Sequence, residues 1–221
     1  MRRLNAVTVL IATVLFTGIA FVSAHAAEST PPEMLLASLY KRAESLSNYS
    51  FTFDYKEYIE KDKKYSERTC MFWYVKPDLI KMNVTAGDDK GSKVAYNGIK
   101  KKNQVKAKAS YMPIPITVKK TDPRLEGFFL SDWKSDAVSI KKLIGDGKPV
   151  AGKDAKIKGK NAKSIEFKGL KGEFDRIILW IGVEDPVLLQ YEYYKASKLI
   201  QKKTWYDINT SAGLTEEDFK I

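Results

Sequence analysis

Two reactive residue types are almost missing from this 221-residue chain, which holds one histidine, His25, and one cysteine, Cys70. A single cysteine cannot close an intramolecular disulfide. The lone histidine is excluded by its position. Met1 to Ala26 starts with Arg2 and Arg3, runs apolar from Ala6 to Val22, and ends in Ala24-His25-Ala26. A basic start, an apolar stretch and a small-x-small site make a secretory signal peptide, so export to the periplasm with cleavage after Ala26 is expected. The apolar run is slightly short of the ~20 residues of a membrane span. Cleavage leaves residues 27–221 without histidine and takes two arginines from a net charge of +11. Such a chain excludes a Ser-His-Asp triad, a Cys-His pair and a His-ligated zinc site.

Other catalytic signals are equally scarce. Gly145-Asp146-Gly147-Lys148 lacks the spacing of a phosphate-binding loop. Gly87-Asp88-Asp89-Lys90-Gly91 has too few staggered carboxylates for calcium. The acid pairs Glu184-Asp185 and Glu216-Glu217 fall in a turn and a tail. The expectation is therefore a protein that is not an enzyme, with no cofactor and no metal site. Cys70, next to Met71 and Phe72, reads as a buried strand residue.

What the chain has in quantity is alternation. Leu35, Leu36, Leu39, Ala43 and Leu46 first recur at helical spacing behind Pro31-Pro32, predicting an amphipathic helix over 34–47. From Asn48 the period becomes two: Tyr49, Phe51, Phe53 and Tyr55 share one face, with Ser50, Thr52, Asp54 and Lys56 on the other. Arg68 to Val75 and Ile177 to Val183 are apolar on both faces, so each needs cover on both sides. Leu79 to Thr85, Val187 to Tyr194 and Leu199 to Ile208 add further strands, and Asn97-Gly98 is a hairpin signal. Leu214 and Phe219 are placed to pin the tail. Strands joined by tight turns predict an antiparallel meander in one domain over 27–221.

Residues 111–145 interrupt that pattern. Pro113 and Pro115 remove ladder donors, so Tyr111 to Ile116 cannot be a central strand. Ser131-Asp132 can cap a short helix in which Trp133, Ala137, Ile140 and Ile144 share a face, with Gly145 ending it. The stretch is thus an apolar, partly helical insertion that must pack on something.

This order of features resembles the LolA-like superfamily of bacterial envelope proteins, which includes the lipoprotein carrier LolA, LolB and RseB. The resemblance rests on the helix leading into the Tyr49 strand, the basic-Pro step Lys76-Pro77, the Ile80/Met82 strand and the Tyr96-Asn97-Gly98 turn. It continues through Leu179-Trp180-Ile181, Leu188 to Tyr194, Trp205-Tyr206-Asp207-Ile208-Asn209 and the closing Phe219. The resemblance implies a mainly β (α+β) fold: a curved antiparallel sheet forming an unclosed half-barrel, with an N-terminal helix and a helical lid over a greasy cavity. In the carrier, an arginine before the proline bonds to the lid and helps it open and close. Here Lys76 takes that latch position with a point charge instead of a planar fork, so it acts either as a latch or as a cap on the sheet rim.

The residues themselves fit that picture. An aromatic-lined pocket suits acyl chains, since about 0.8 kcal/mol per buried methylene supplies the affinity. Phe51, Phe53, Phe72, Tyr74, Ile80 and Met82 are the candidates to line it, and Phe128, Phe129, Trp133 and Ile140 to face it from the lid over 111–145. The alternative is that these side chains fill a solid core. The expected function is to hold an acyl chain, lipid or lipoprotein moiety as a carrier or chaperone. The same fold also suits a sensor that binds an inner- or outer-membrane protein partner. Lys100-Lys101-Lys102, Lys119-Lys120, Lys141-Lys142 and Lys202-Lys203 read as a solvated surface. They also suit peripheral contact with anionic lipid, at roughly 1 kcal/mol per well-placed lysine. Export argues against nucleic acid as a partner.

Overall fold

The computed structural model describes residues 30–221. The signal segment over 1–26, and with it His25, lies outside the described residues. Helix α1 spans Pro32–Ser45, two residues earlier than the spacing predicts, because Pro32 supplies the fixed φ of a first helical turn. It buries Leu35, Leu39 and Ala43 on one face. Arg42 holds it in place, donating from Nε and Nη2 to the two carboxylate oxygens of Asp185 at 2.7 and 2.9 Å.

Asn48–Ile59 (β1), Lys64–Val75 (β2), Leu79–Gly87 (β3), Lys93–Asn97 (β4), Gln104–Lys108 (β5) and Ile116–Lys119 (β6) form a first antiparallel meander. Val150–Ile157 (β7), Lys160–Lys168 (β8), Arg176–Gly182 (β9), Leu188–Lys195 (β10) and Lys198–Asn209 (β11) form a second, whose last strand pairs with β1. The order is β6-β5-β4-β3-β2-β1-β11-β10-β9-β8-β7, an unclosed sheet of 11 strands. Consecutive strands β6 and β7 therefore lie at opposite edges, and the chain between them must cross the sheet. A 3₁₀ turn over Pro123–Leu125, α2 over Glu126–Phe129 and α3 over Trp133–Ile144 make that crossing. None of the described helices is long and apolar enough to cross a membrane.

Three sequence expectations change in detail. The crossing is shorter than 111–145, because Ile116–Lys119 pairs with β5 as an edge strand. Pro113 and Pro115 fall in the loop just before it, where a missing N–H breaks no ladder. Asn97-Gly98 is not a two-residue hairpin turn, since β5 resumes only at Gln104. Gly98 is instead pressed against the β2–β3 turn, donating its N–H to Asp78 O at 2.9 Å. A Cβ there would fall 2.6 Å from the Cβ of Asp78. Finally, β2 is covered fully on one face only. Cys70, Phe72 and Tyr74 are buried, while Met71 on the convex face is 40% exposed. The C-terminal tail covers part of that face further along: Phe219 is buried, and Lys81 Nζ donates to Asp218 O at 2.8 Å and Lys220 O at 3.0 Å.

Candidate functional site

Alternation places every second side chain of β1 on the concave face, and strand register carries that choice across the sheet. Tyr49 lies beside Tyr74 and, through it, Ile80; Phe51 beside Phe72 and Met82; Phe53 beside Cys70 and Val84. The next row runs Arg68, Tyr55, Lys203, Tyr191 across β2, β1, β11 and β10. One end of the concave face is thus aromatic, and the other carries two cations.

Helix α3 decides how the aromatic end is used. Its start is fixed by Asp132, whose Oδ1 accepts from the backbone N–H of Lys134 at 2.9 Å and of Ser135 at 3.1 Å. That cap delivers Trp133 onto the sheet, its ring centroid 4.8 Å from Phe51 and 5.1 Å from Tyr49. Phe72 stacks on Phe51 and Tyr74 on Tyr49, both at 5.0 Å. Phe51, Phe72, Tyr74, Ile80, Trp133 and Ile140 are therefore packed as core, and no space separates helix from sheet there. Phe129 packs edge-on to Tyr96 at 5.2 Å and to Phe128 at 4.9 Å.

Beyond Trp133 the two layers part, leaving a cavity of about 830 Å³. That is within the roughly 300–1,000 Å³ of small-molecule sites. Of the candidate lining residues, Phe53 and Met82 face it from the sheet and Phe128 from the crossing segment. Val84, Leu125 and Leu143 extend the apolar wall, but polar groups make up about as much of the lining: Tyr55, Arg68, Ser92, Ser139, Tyr193 and Gln201 are spread through it, and Asp136 and Lys203 meet at one polar place. Glu57, half-buried, and Asp89 and Glu173, both exposed, stand at the rim.

The polar place joins lid to floor. Lys203 Nζ donates to Asp136 Oδ2 at 2.8 Å and to Ser131 O at 3.3 Å. The two side chains are 4% and 9% exposed. The ammonium also lies 4.7 Å from the ring centre of Phe53 and 4.8 Å from that of Trp205. Burial pushes the Asp136 carboxyl up to about 6, with Lys203 pulling the other way and Asp132 adding to the rise. Lys203 is thus not part of the solvated surface that Lys202-Lys203 suggested. The signal that identifies it is phase: it lies two residues from Trp205, so it shares the inward face of β11.

Arg68 is the other inward cation. Its side chain is 32% exposed and lies 3.9 Å from Asp89, beyond hydrogen-bond reach. Its Nε is buried without a partner among the described residues. Cys70 stands in the next row toward the aromatic end, its thiol pushed up to about 11 by burial. Lys76 lies elsewhere: its Nζ donates to Glu44 O at 2.6 Å, so it caps the end of α1 and is bonded to no residue of the crossing segment. Among the described residues, no three His, Cys, Asp or Glu side chains converge as metal ligands do.

No family model matches the chain, and no curated protein matches it in sequence. Solved structures do match. An uncharacterized conserved protein from Thermus thermophilus aligns with a TM-score of 0.52 at 11% identity, over 86% of this chain and 92% of that one. The Pseudomonas aeruginosa MucA/MucB complex gives 0.51 at 12% identity, over 86% of this chain and 60% of that one. The Mycobacterium tuberculosis lipoprotein LppX gives 0.50 at 13% identity, over 81% of this chain and 97% of that one. At such identities the likeness is one of fold alone, and the unclosed antiparallel sheet with an N-terminal helix and a helical crossing segment is the architecture that the sequence resemblance implied.

Proposed function

We propose that this protein is a periplasmic binding protein, not an enzyme, and that it holds an acyl chain, lipid or lipoprotein moiety in the cavity between sheet and lid. It then acts as a carrier or chaperone in envelope lipid or lipoprotein traffic. The observation that carries this reading is the cavity of about 830 Å³, in which apolar side chains from both layers form part of the wall. A chain buried against Phe53, Met82, Val84, Leu125, Phe128 and Leu143 gains about 0.8 kcal/mol per methylene. The groups available for acid–base or nucleophilic work face the other way energetically. Burial keeps Cys70 a thiol, and Lys203 and Asp136 neutralise each other. Native mass spectrometry after gentle purification tests the proposal, and the expected result is a bound lipid mass. A protein that is empty and also ignores a fluorescent fatty acid overturns it.

A second reading is a regulatory module that binds a membrane protein, favoured by the fold shared with MucB, which is seen in complex with MucA. A pull-down from envelope membranes separates the two. A regulator retains one integral membrane protein at fixed stoichiometry, and a carrier retains lipid.

A further inference from the structure

Two cations point into the cavity from one row of the concave face, and their placement names a class of ligand. Arg68 and Lys203 flank Tyr55 in one row of the concave face, two strands apart. Two strand spacings put their Cα atoms about 10 Å from each other, a gap that two long side chains can close around one small anion. Lys203 is already engaged, with Asp136 of the lid as its buried counterion. Arg68 is not. A guanidinium has five donors in a fork suited to carboxylate or phosphate, and among the described residues Arg68 has no hydrogen-bonded acid: Asp89 lies 3.9 Å away and Asp88 acts on it through charge.

Of the other charges around the cavity, Arg124 is bound to Asp122 by hydrogen bonds of 2.9 and 2.6 Å and is 77% exposed. Asp89 and Glu173 are exposed at the rim, where water screens them. Half-buried Glu57 acts on Tyr55 from the same face, so a head group seated here shares this end with one carboxylate and must outweigh it with both cations. Phe53, Met82 and Val84 continue from the two cations as an apolar wall. A cationic end joined to an apolar wall fits a molecule with an acidic head and a hydrocarbon tail.

We infer that the cavity takes an amphiphile with a single acidic head group, seated between Arg68 and Lys203, and that this head group competes with Asp136 for the Lys203 ammonium. The inference rests on the cavity-binding reading above and deepens it. It gives the lid ion pair a role in exchange. With the cavity empty, Lys203 needs Asp136, and the pair ties α3 to β11. With an acidic head in place, Lys203 has a counterion from the ligand and α3 loses its ionic tie to the sheet. Filling the cavity therefore loosens the lid, and emptying it restores the tie.

The test uses dansyl-undecanoic acid and its methyl ester on the full chain and on Arg68→Gln, Arg68→Lys and Asp136→Asn, with melting curves confirming that each variant is folded. The expected result is that the acid binds at least tenfold tighter than the ester. Arg68→Gln narrows that ratio several-fold and Arg68→Lys restores part of it. Asp136→Asn tightens the acid several-fold relative to the ester, since the internal competitor is gone. Displacement by lysophosphatidic acid against lysophosphatidylcholine then distinguishes a phosphate head from a carboxylate. Equal affinity for acid and ester in the unaltered chain overturns the inference and leaves the cavity reading standing, as does an Asp136→Asn variant that binds the acid more weakly relative to the ester. Binding of neither probe overturns both.

Discussion

Replacing Lys203 with Met removes one charge from a buried pair while keeping an unbranched side chain beneath the rings of Phe53 and Trp205. In the native chain, burial raises the Asp136 carboxyl, and the Lys203 charge and hydrogen bond lower it, leaving it at about 6 against an ordinary 3.8. A carboxyl raised on folding contributes stability that is fully present below its unfolded value and lost as pH rises through its folded value. At about 1.4 kcal/mol per unit, that loss is roughly 3 kcal/mol between pH 3.8 and about 6. Without Lys203 only the raising influences remain, so the loss continues above pH 6. At pH 7, about one unit above the native folded value, that continued loss is expected to make the variant less stable than the native chain by about 1.4 kcal/mol, on top of any change in packing. Near pH 5 the carboxyl is protonated in both proteins, and the difference should fall to about 1 kcal/mol of altered packing. Urea unfolding followed by fluorescence of the four tryptophans measures both conditions. The double variant Asp136→Leu/Lys203→Met should recover most of the loss, because it removes both charges together. A cost that is the same at both pH values, or a double variant as unstable as the single, would refute the account of this pair as a charge held by its counterion.

Trp133→Ala should cost about 3–5 kcal/mol by removing the ring packed on Tyr49 and Phe51. Calorimetry should show the melting temperature falling by on the order of 10 °C. Asp132→Ala removes the two backbone bonds that start α3 and should cost about 1 kcal/mol in denaturant titration. Cys70, buried and with its thiol raised to about 11, should react with Ellman's reagent only as fast as the protein opens, and at once in denaturant. Rapid labelling of the folded chain would show that β2 is accessible from the cavity.

The fold was legible where local pattern and tertiary role agree. The two-residue period from Tyr49 to Tyr55 marks a strand with one buried face, and Pro113 and Pro115 mark a place where no central strand can run. The site was less legible because it depends on where a remote segment lands. Phe51 and Phe53 look equivalent within β1, yet Trp133 arrives over Phe51 and leaves Phe53 facing open space. Lys203 was hidden by its neighbour Lys202, since two adjacent lysines read as surface until the phase of Trp205 is applied. Arg68 had the same phase sign, two residues before inward-facing Cys70, but alone it does not mark a site. Its importance comes from Lys203 and Tyr55, which reach its row only through the pairing of β1 with the last strand of the chain.

The attachment of the crossing segment to opposite edges of the sheet has a mechanical consequence. A flap hinged at one end can swing clear without disturbing what lies beneath it. This segment is fastened to β6 at one rim and leads to β7 at the other, so it behaves as a strap across an open bowl. Besides the making and breaking of its ion pair, it slackens as the rims draw together and tightens as they spread. Motion of the strap is thereby linked to the curvature of the 11 strands, and a force applied at either edge is felt over the cavity.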